Sequence, residues 1–249
     1  MTKCAIATSR RKREPKVFSF LLIRTLVGVI ALTIPFLVTY TAGTDLSSIS
    51  ASYYTDARDW FVGLLFAVAA FLFAYNGRSI VQCVLSKIAS LAAMGVALSP
   101  TTREGCNNKL GKKVETNLDT ACKCICDVPN VFCECIACDP VWIGIAHYVA
   151  AAILFFILTI FCFFIFFRET GERIDGEERS QDEKFRHWIY FVCSIFMFLS
   201  MIGLLLYFFK WAFTDVKDFV YWAEALALVS FGFAWTVSGK WIPGLTKSR

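Results

Sequence analysis

The sequence predicts an all-α, polytopic membrane helical bundle with six transmembrane helices and a cysteine-rich external loop. Three observations carry that expectation. Of 249 residues, 57% are hydrophobic, 25 are Phe and only 18% are charged, where soluble domains carry roughly a quarter charged residues. Mean hydropathy is +0.58, and six apolar stretches approach the ~20 residues that a helix needs to cross a bilayer. Finally, seven of the 11 cysteines lie between Cys106 and Cys138. A water-soluble fold around a single core is excluded.

Residues 1–17 form a basic segment in which Arg10, Arg11, Lys12, Arg13 and Lys16 resemble a signal-peptide n-region. No small-residue cleavage motif follows the first apolar stretch, which therefore reads as a retained helix. The first span is expected from Phe18 to Ala42, kinked by Pro35, with Arg24 reaching back to the headgroups. Residues 43–58 are too polar and too short to span. The second span runs from Asp59 and Trp60 to Tyr75, where Asn76 and Gly77 signal a tight turn that carries Arg78. Ile80 to Leu98 forms the third span, with Gln82, Ser86 and Lys87 facing protein or snorkelling, and Pro100 marks its end.

The loop 99–140 carries the cysteines, and Val141 to Phe167 is the strongest span. A charged connection, 168–186, leads to a fifth span from His187 to Phe209. The short loop 210–218 precedes a sixth from Phe219 to Ser238, and 239–249 is a polar tail. The Phe residues of FFILTIFCFFIFF are expected to meet acyl chains, and Trp60, Trp188, Trp211, Trp222 and Trp241 to form an interfacial belt.

Six crossings place both termini on one side. Seven Lys/Arg up to Arg24, five in 168–186 and three in the tail outnumber the one and two in 43–58 and 210–218, so both termini are expected in the cytoplasm. The loop 99–140 has five Lys/Arg and six Asp/Glu in 42 residues, which still permits translocation. The net charge of +5 sits beside apolar spans without basic-aromatic interleaving, so no nucleic-acid partner is implied. Membrane lipids are the expected partners, and the external loop offers a place for a protein partner.

Cys106, Cys122, Cys124, Cys126, Cys133, Cys135 and Cys138 would face an oxidising compartment. Disulfides there can replace a core that a loop with few large apolar side chains cannot build. Bridges between the 122–126 and 133–138 clusters suit a small hairpin around Asp127, Val128, Pro129 and Asn130. Clustered thiolates would also suit zinc or copper(I), although the spacing is not that of a usual zinc site. Neither a metal nor a cofactor is assigned. Cys83, Cys162 and Cys193 read as small residues within spans, and Cys4 as a cytoplasmic thiol.

Alternating helix directions bring ionisable residues to one depth near the outer leaflet. At 1.5 Å per residue, His147 lies about 9 Å into the fourth span and Glu224 about 7 Å into the sixth, beside Arg58 and Asp59 at the start of the second. An isolated carboxylate is costly in hydrocarbon, so Asp59 and Glu224 should meet counterparts, with Arg58 and His147 the candidates. Ser50, Tyr53 and Tyr54 close this polar pocket from the first loop. The plain alternative has Asp59 capping its helix, Arg58 touching phosphates and one His147 to Glu224 hydrogen bond. The functional one is a pocket for proton-linked chemistry, a polar headgroup or a metal. No nucleotide-binding glycine loop, H-E-x-x-H or G-x-S-x-G motif occurs.

The strings SISASYYTDARDWFVGLLFAVAAFLFAYNG, the region 89–102 around MGVALSPT, GIAHYVAAAILFF and YWAEALALVSFGFAWTVSGK together resemble an uncharacterised family of bacterial six-span membrane proteins. The chain is more distantly similar to the DUF998 and Frag1/DRAM/Sfk1 group. The resemblance implies a bacterial inner membrane and six helices, and it draws attention to Arg58, Asp59, His147 and Glu224 within those strings. It brings no catalytic mechanism, and the long cysteine loop departs from it. The sequence thus points to an integral membrane protein binding a lipid, small polar ligand or protein partner at its external face. The alternative is an intramembrane hydrolase or transporter using an Asp/His/Glu layer. Only two histidines are present, with His187 at the opposite end.

Overall fold

The computed structural model describes residues 20–76, 79–102, 122–125, 134–137, 139–166 and 181–239. Its helices are α1 (Phe20–Ala42), α2 (Arg58–Ala74), α3 (Ile80–Leu98), α4 (Val141–Ile160), α5 (Gln181–Phe208) and α6 (Phe219–Ser238), with a short 3-10 helix at Ser50–Tyr54. Beyond Ile160, α4 continues as a π-helical stretch, Phe161–Phe166. Among the described residues five helices are long and apolar enough to cross a membrane: Leu21–Ala42, Ile80–Leu98, Trp142–Phe163, Lys184–Phe208 and Phe219–Ser238. The chain is an integral, multi-pass helical membrane protein. The remaining helix, α2, has 17 residues and packs against α1 and α3.

One element differs from the expectation. Helix α5 starts at Gln181 rather than His187, because its first turns are strong helix formers that hydropathy cannot register. Within the cysteine-rich loop, strands β1 (Cys122–Ile125) and β2 (Glu134–Ala137) pair antiparallel with Cys124 opposite Cys135, the strand pairing that the expected hairpin between the two cysteine clusters calls for. The side chains of Cys122, Cys124 and Cys135 lie outside the described residues. So do Cys106, Cys126, Cys133 and Cys138 entirely, and with them the expected bridges. Cys4, Gly77, Arg78, Trp241 and the basic N-terminal segment are likewise outside.

The helices form an open ring. In spatial order α4, α3, α2, α1, α6 and α5 each pack on the next, while α4 and α5 touch far less, chiefly through the π-helical stretch. Helices α1 and α6 make the most extensive pairing, and glycine explains how. A Cβ on Gly28 would come within 2.5 Å of Thr236 Oγ1 and 2.7 Å of the Gly232 carbonyl oxygen, and one on Gly232 would come within 2.7 Å of the Gly28 carbonyl oxygen. Small residues let two backbones approach where lipid, being as apolar as leucine, supplies no hydrophobic drive between helices.

At the opposite end from the 3-10 helix, Arg24 corrects the headgroup-anchor expectation. It is 2% exposed, and its Nε and Nη2 donate to the Tyr75 hydroxyl at 3.0 and 2.6 Å. That hydroxyl lies 3.4 Å from Gln82 Oε1 and donates to it. The Tyr75 ring packs edge-on to Phe161 at 5.9 Å and tilted against Trp235 at 5.8 Å. Phe161 and Trp235 are fully buried, so part of the phenylalanine run serves the core, while Phe156 and Phe163 are exposed. Lys87 faces the bundle and caps α2, its Nζ donating to the carbonyl oxygens of Phe73 and Tyr75, where the helix dipole favours a cation. Trp60, Trp188, Trp211 and Trp222 are exposed near helix ends.

Replacing Gly28 by Val should separate α1 from α6 and destabilise the protein by about 1–3 kcal/mol or more, as overpacking does. Thermal unfolding in detergent checks this, and an unchanged midpoint would contradict the close crossing. Tyr75→Phe removes the hydroxyl that accepts from Arg24 Nε and Nη2 and should cost about 1–3 kcal/mol in the same assay.

Candidate functional site

The loop between α1 and α2 folds inward onto α6. The Tyr221 amide, one of the first-turn donors that a helix leaves without an internal partner, donates to the Ser47 carbonyl oxygen at 3.1 Å. One turn on, Glu224 Oε2 accepts from the backbone amides of Ile49 at 2.6 Å and Ser50 at 3.4 Å. The loop and helix thus exchange hydrogen bonds in both directions, a tertiary counterpart of a capping box. Thr39 Oγ1 and the Tyr221 hydroxyl, 2.8 Å apart, add a bond from α1.

Ser50 is buried, and its Oγ lies 3.1 Å from Ser48 Oγ. The Tyr54 hydroxyl lies 2.6 Å from the Thr101 carbonyl oxygen and 2.8 Å from Asp139 Oδ2, and donates its one proton between them. It thereby links the chain leaving α3 to the chain entering α4. His147, 2% exposed, places Nδ1 2.7 Å from the Ser99 carbonyl oxygen. Since a carbonyl only accepts, Nδ1 carries a proton and donates.

The expected single layer therefore splits. Ser50, Tyr54, His147 and Glu224 line one cavity. Arg58 instead donates from Nη2 to the Tyr53 hydroxyl at 3.1 Å, with its guanidinium carbon 4.6 Å from that ring's centroid, outside the cavity. Asp59 is exposed in the first turn of α2, where a helix N-terminus favours a carboxylate. His147 and Glu224 share the cavity without bonding to each other: His147 takes a backbone partner, and Glu224 takes the Ile49 and Ser50 amides and the Ser50 side chain. Among the described residues, no group of three His, Cys, Asp or Glu side chains could hold a metal ion.

The cavity has a volume of about 1770 Å³, above the ~300–1,000 Å³ usual for small-molecule pockets. It is amphipathic along its length. At the loop end it is walled by Ser48, Ser50, Tyr54, Thr101, Tyr148 and Glu224, with Asp45 and Lys210 at the rim; between α4 and α5 the walls are Phe155, Phe156, Ile160, Phe198, Met201 and Leu205. From His147 to Ile160 the α4 wall extends about 20 Å at 1.5 Å per residue. Sequence reasoning missed Thr101 and Asp139, whose roles come from distant partners, and the whole α5 wall.

No family model matches the chain, and neither a curated protein nor a solved structure does. The site is therefore read from its own chemistry. Glu224→Ala should leave the Ile49 amide without its acceptor and cost about 1–3 kcal/mol, whereas Glu224→Gln keeps an acceptor oxygen and should lose much less. Thermal unfolding of the two variants side by side checks this, and equal losses would show that the amide bond is not what Glu224 contributes.

Proposed function

We propose that this protein holds a lipid or lipid-like amphipath in the cleft between α4 and α5, with the polar head at the external loop and the chain against the phenylalanine-rich walls. The amphipathic cavity carries this reading. Its volume exceeds the need of a small polar ligand, and most of its polar groups lie at the loop end, with Thr159 and Ser194 the exceptions among the apolar walls. Helices α4 and α5 meet mainly at the π-helical stretch, so the cleft widens away from that contact towards the loop end. Single-turn π segments recur at functional positions in helices.

In this reading α2 makes the sixth crossing. Its 17 residues span about 26 Å, short of the ~30 Å hydrocarbon core by an amount that small bilayer adjustments absorb. Both termini then lie in the cytoplasm of a bacterial inner-membrane protein, consistent with the Lys/Arg distribution and the family resemblance. The hydrolase alternative has less support, since Ser50 Oγ pairs with Ser48 and His147 Nδ1 with a backbone carbonyl. That arrangement gives the serine no histidine: its side chain meets Ser48 and the Glu224 carboxylate instead.

Native mass spectrometry of protein released from lipid nanodiscs tests the reading. The wild-type chain should retain an amphipath adduct, and Ala152→Trp, which fills the cleft from α4, should lose it while keeping the unfolding midpoint. Equal adducts on both proteins would refute a cleft-bound lipid.

A further inference from the structure

We infer that the amphipath favoured by this cleft carries a primary ammonium group, held by the carboxylate of Glu224. The inference rests on the lipid-binding reading and adds the chemistry of the head. Glu224 lies five residues into α6, about 7 Å below its start, and lines the cavity. Among the described residues it forms no ion pair: Lys217 pairs with Asp45 at 3.4 Å and Asp218 at 3.7 Å, Arg58 donates to Tyr53, and Lys210, which has an interaction of its own, stands at the rim.

A carboxylate at such depth is stabilised by amide donors, and any charge it carries in a low-dielectric site is costly until a cation meets it. Its Oε2 is fixed by the Ile49 and Ser50 amides, so the group is oriented before any ligand arrives. An ammonium supplies the missing charge and three donors. The hydroxyls of Ser48 and Ser50, on the same wall, offer the further acceptors that three donors require. An alcohol head would donate one bond and bring no charge, and a carboxylate head would meet like charge. A quaternary ammonium would bring charge without donors.

The test holds the chain constant and varies the head. The full-length protein in neutral phosphatidylcholine nanodiscs is photolabelled with a diazirine-bearing long-chain alkylamine, the matching alkanol or the matching alkanoate, and labelled peptides are mapped. The amine is expected to label the facing walls of α4 and α5 about tenfold more than the other two, the scale of one charge-assisted hydrogen bond. In Glu224→Gln, which retains the oxygen that anchors the loop, amine labelling should fall to the level of the alkanol. The wild-type comparison stands without any variant, so a poorly folding variant would not protect the inference.

Equal cleft labelling by all three probes in the wild-type protein would overturn the ammonium inference and leave lipid binding intact. An amine preference that survives Glu224→Gln would overturn the assignment to Glu224. Cleft labelling no stronger than that of the outward face of α1, and unchanged by Ala152→Trp, would overturn lipid binding itself.

Discussion

The exchange of hydrogen bonds between Glu224 and the Ile49 amide, and between the Tyr221 amide and the Ser47 carbonyl, is the constraint on which the loop end of this molecule depends. It turns a polar loop inward over the bundle, where Leu46 and Ile49 are buried. Without it, a carboxylate inside α6 would face hydrocarbon and the backbone amides of the loop would face it too. Each group satisfies the other, and the wall they form is polar by necessity. The polar end of the cavity is a consequence of how the loop is held.

The other end is governed by the same rule. Arg24 is buried on Tyr75, whose ring joins Phe161 and Trp235, so one tyrosine receives the buried charge and packs the π-helical stretch. Helices α1 and α6 meet at Gly28 and Gly232, which fixes one side of the ring of helices. The opposite side is left to α4 and α5, which follow one another in the chain but stand at the two ends of the packing order. Held together near the π-helical stretch and apart beyond it, they make the cleft.

Much of this was legible in the sequence. The bounds of α3 and α6 agree with the apolar runs Ile80 to Leu98 and Phe219 to Ser238, because span length is set by bilayer thickness and hydropathy reads it directly. The hidden parts share one cause, which is that depth along a helix says nothing about which face a residue occupies. Arg24 has the right height for the headgroups, yet its partner is 51 residues away on the bundle interior. His147 and Glu224 do share a cavity, as their depths indicated. They were expected to seek side-chain partners, but the backbone of Ser99 and Ile49 was available to each, and backbone donors and acceptors leave no mark in a residue pattern.

An electron cryo-microscopy structure of the full chain in lipid nanodiscs tests the account most directly, through the density between α4 and α5. The account predicts elongated density running along Phe155, Phe198 and Met201 with its polar end at Glu224, and α4 and α5 held apart around it. A closed interface, with the side chains of α4 and α5 interdigitated and no room beside Glu224, would contradict it.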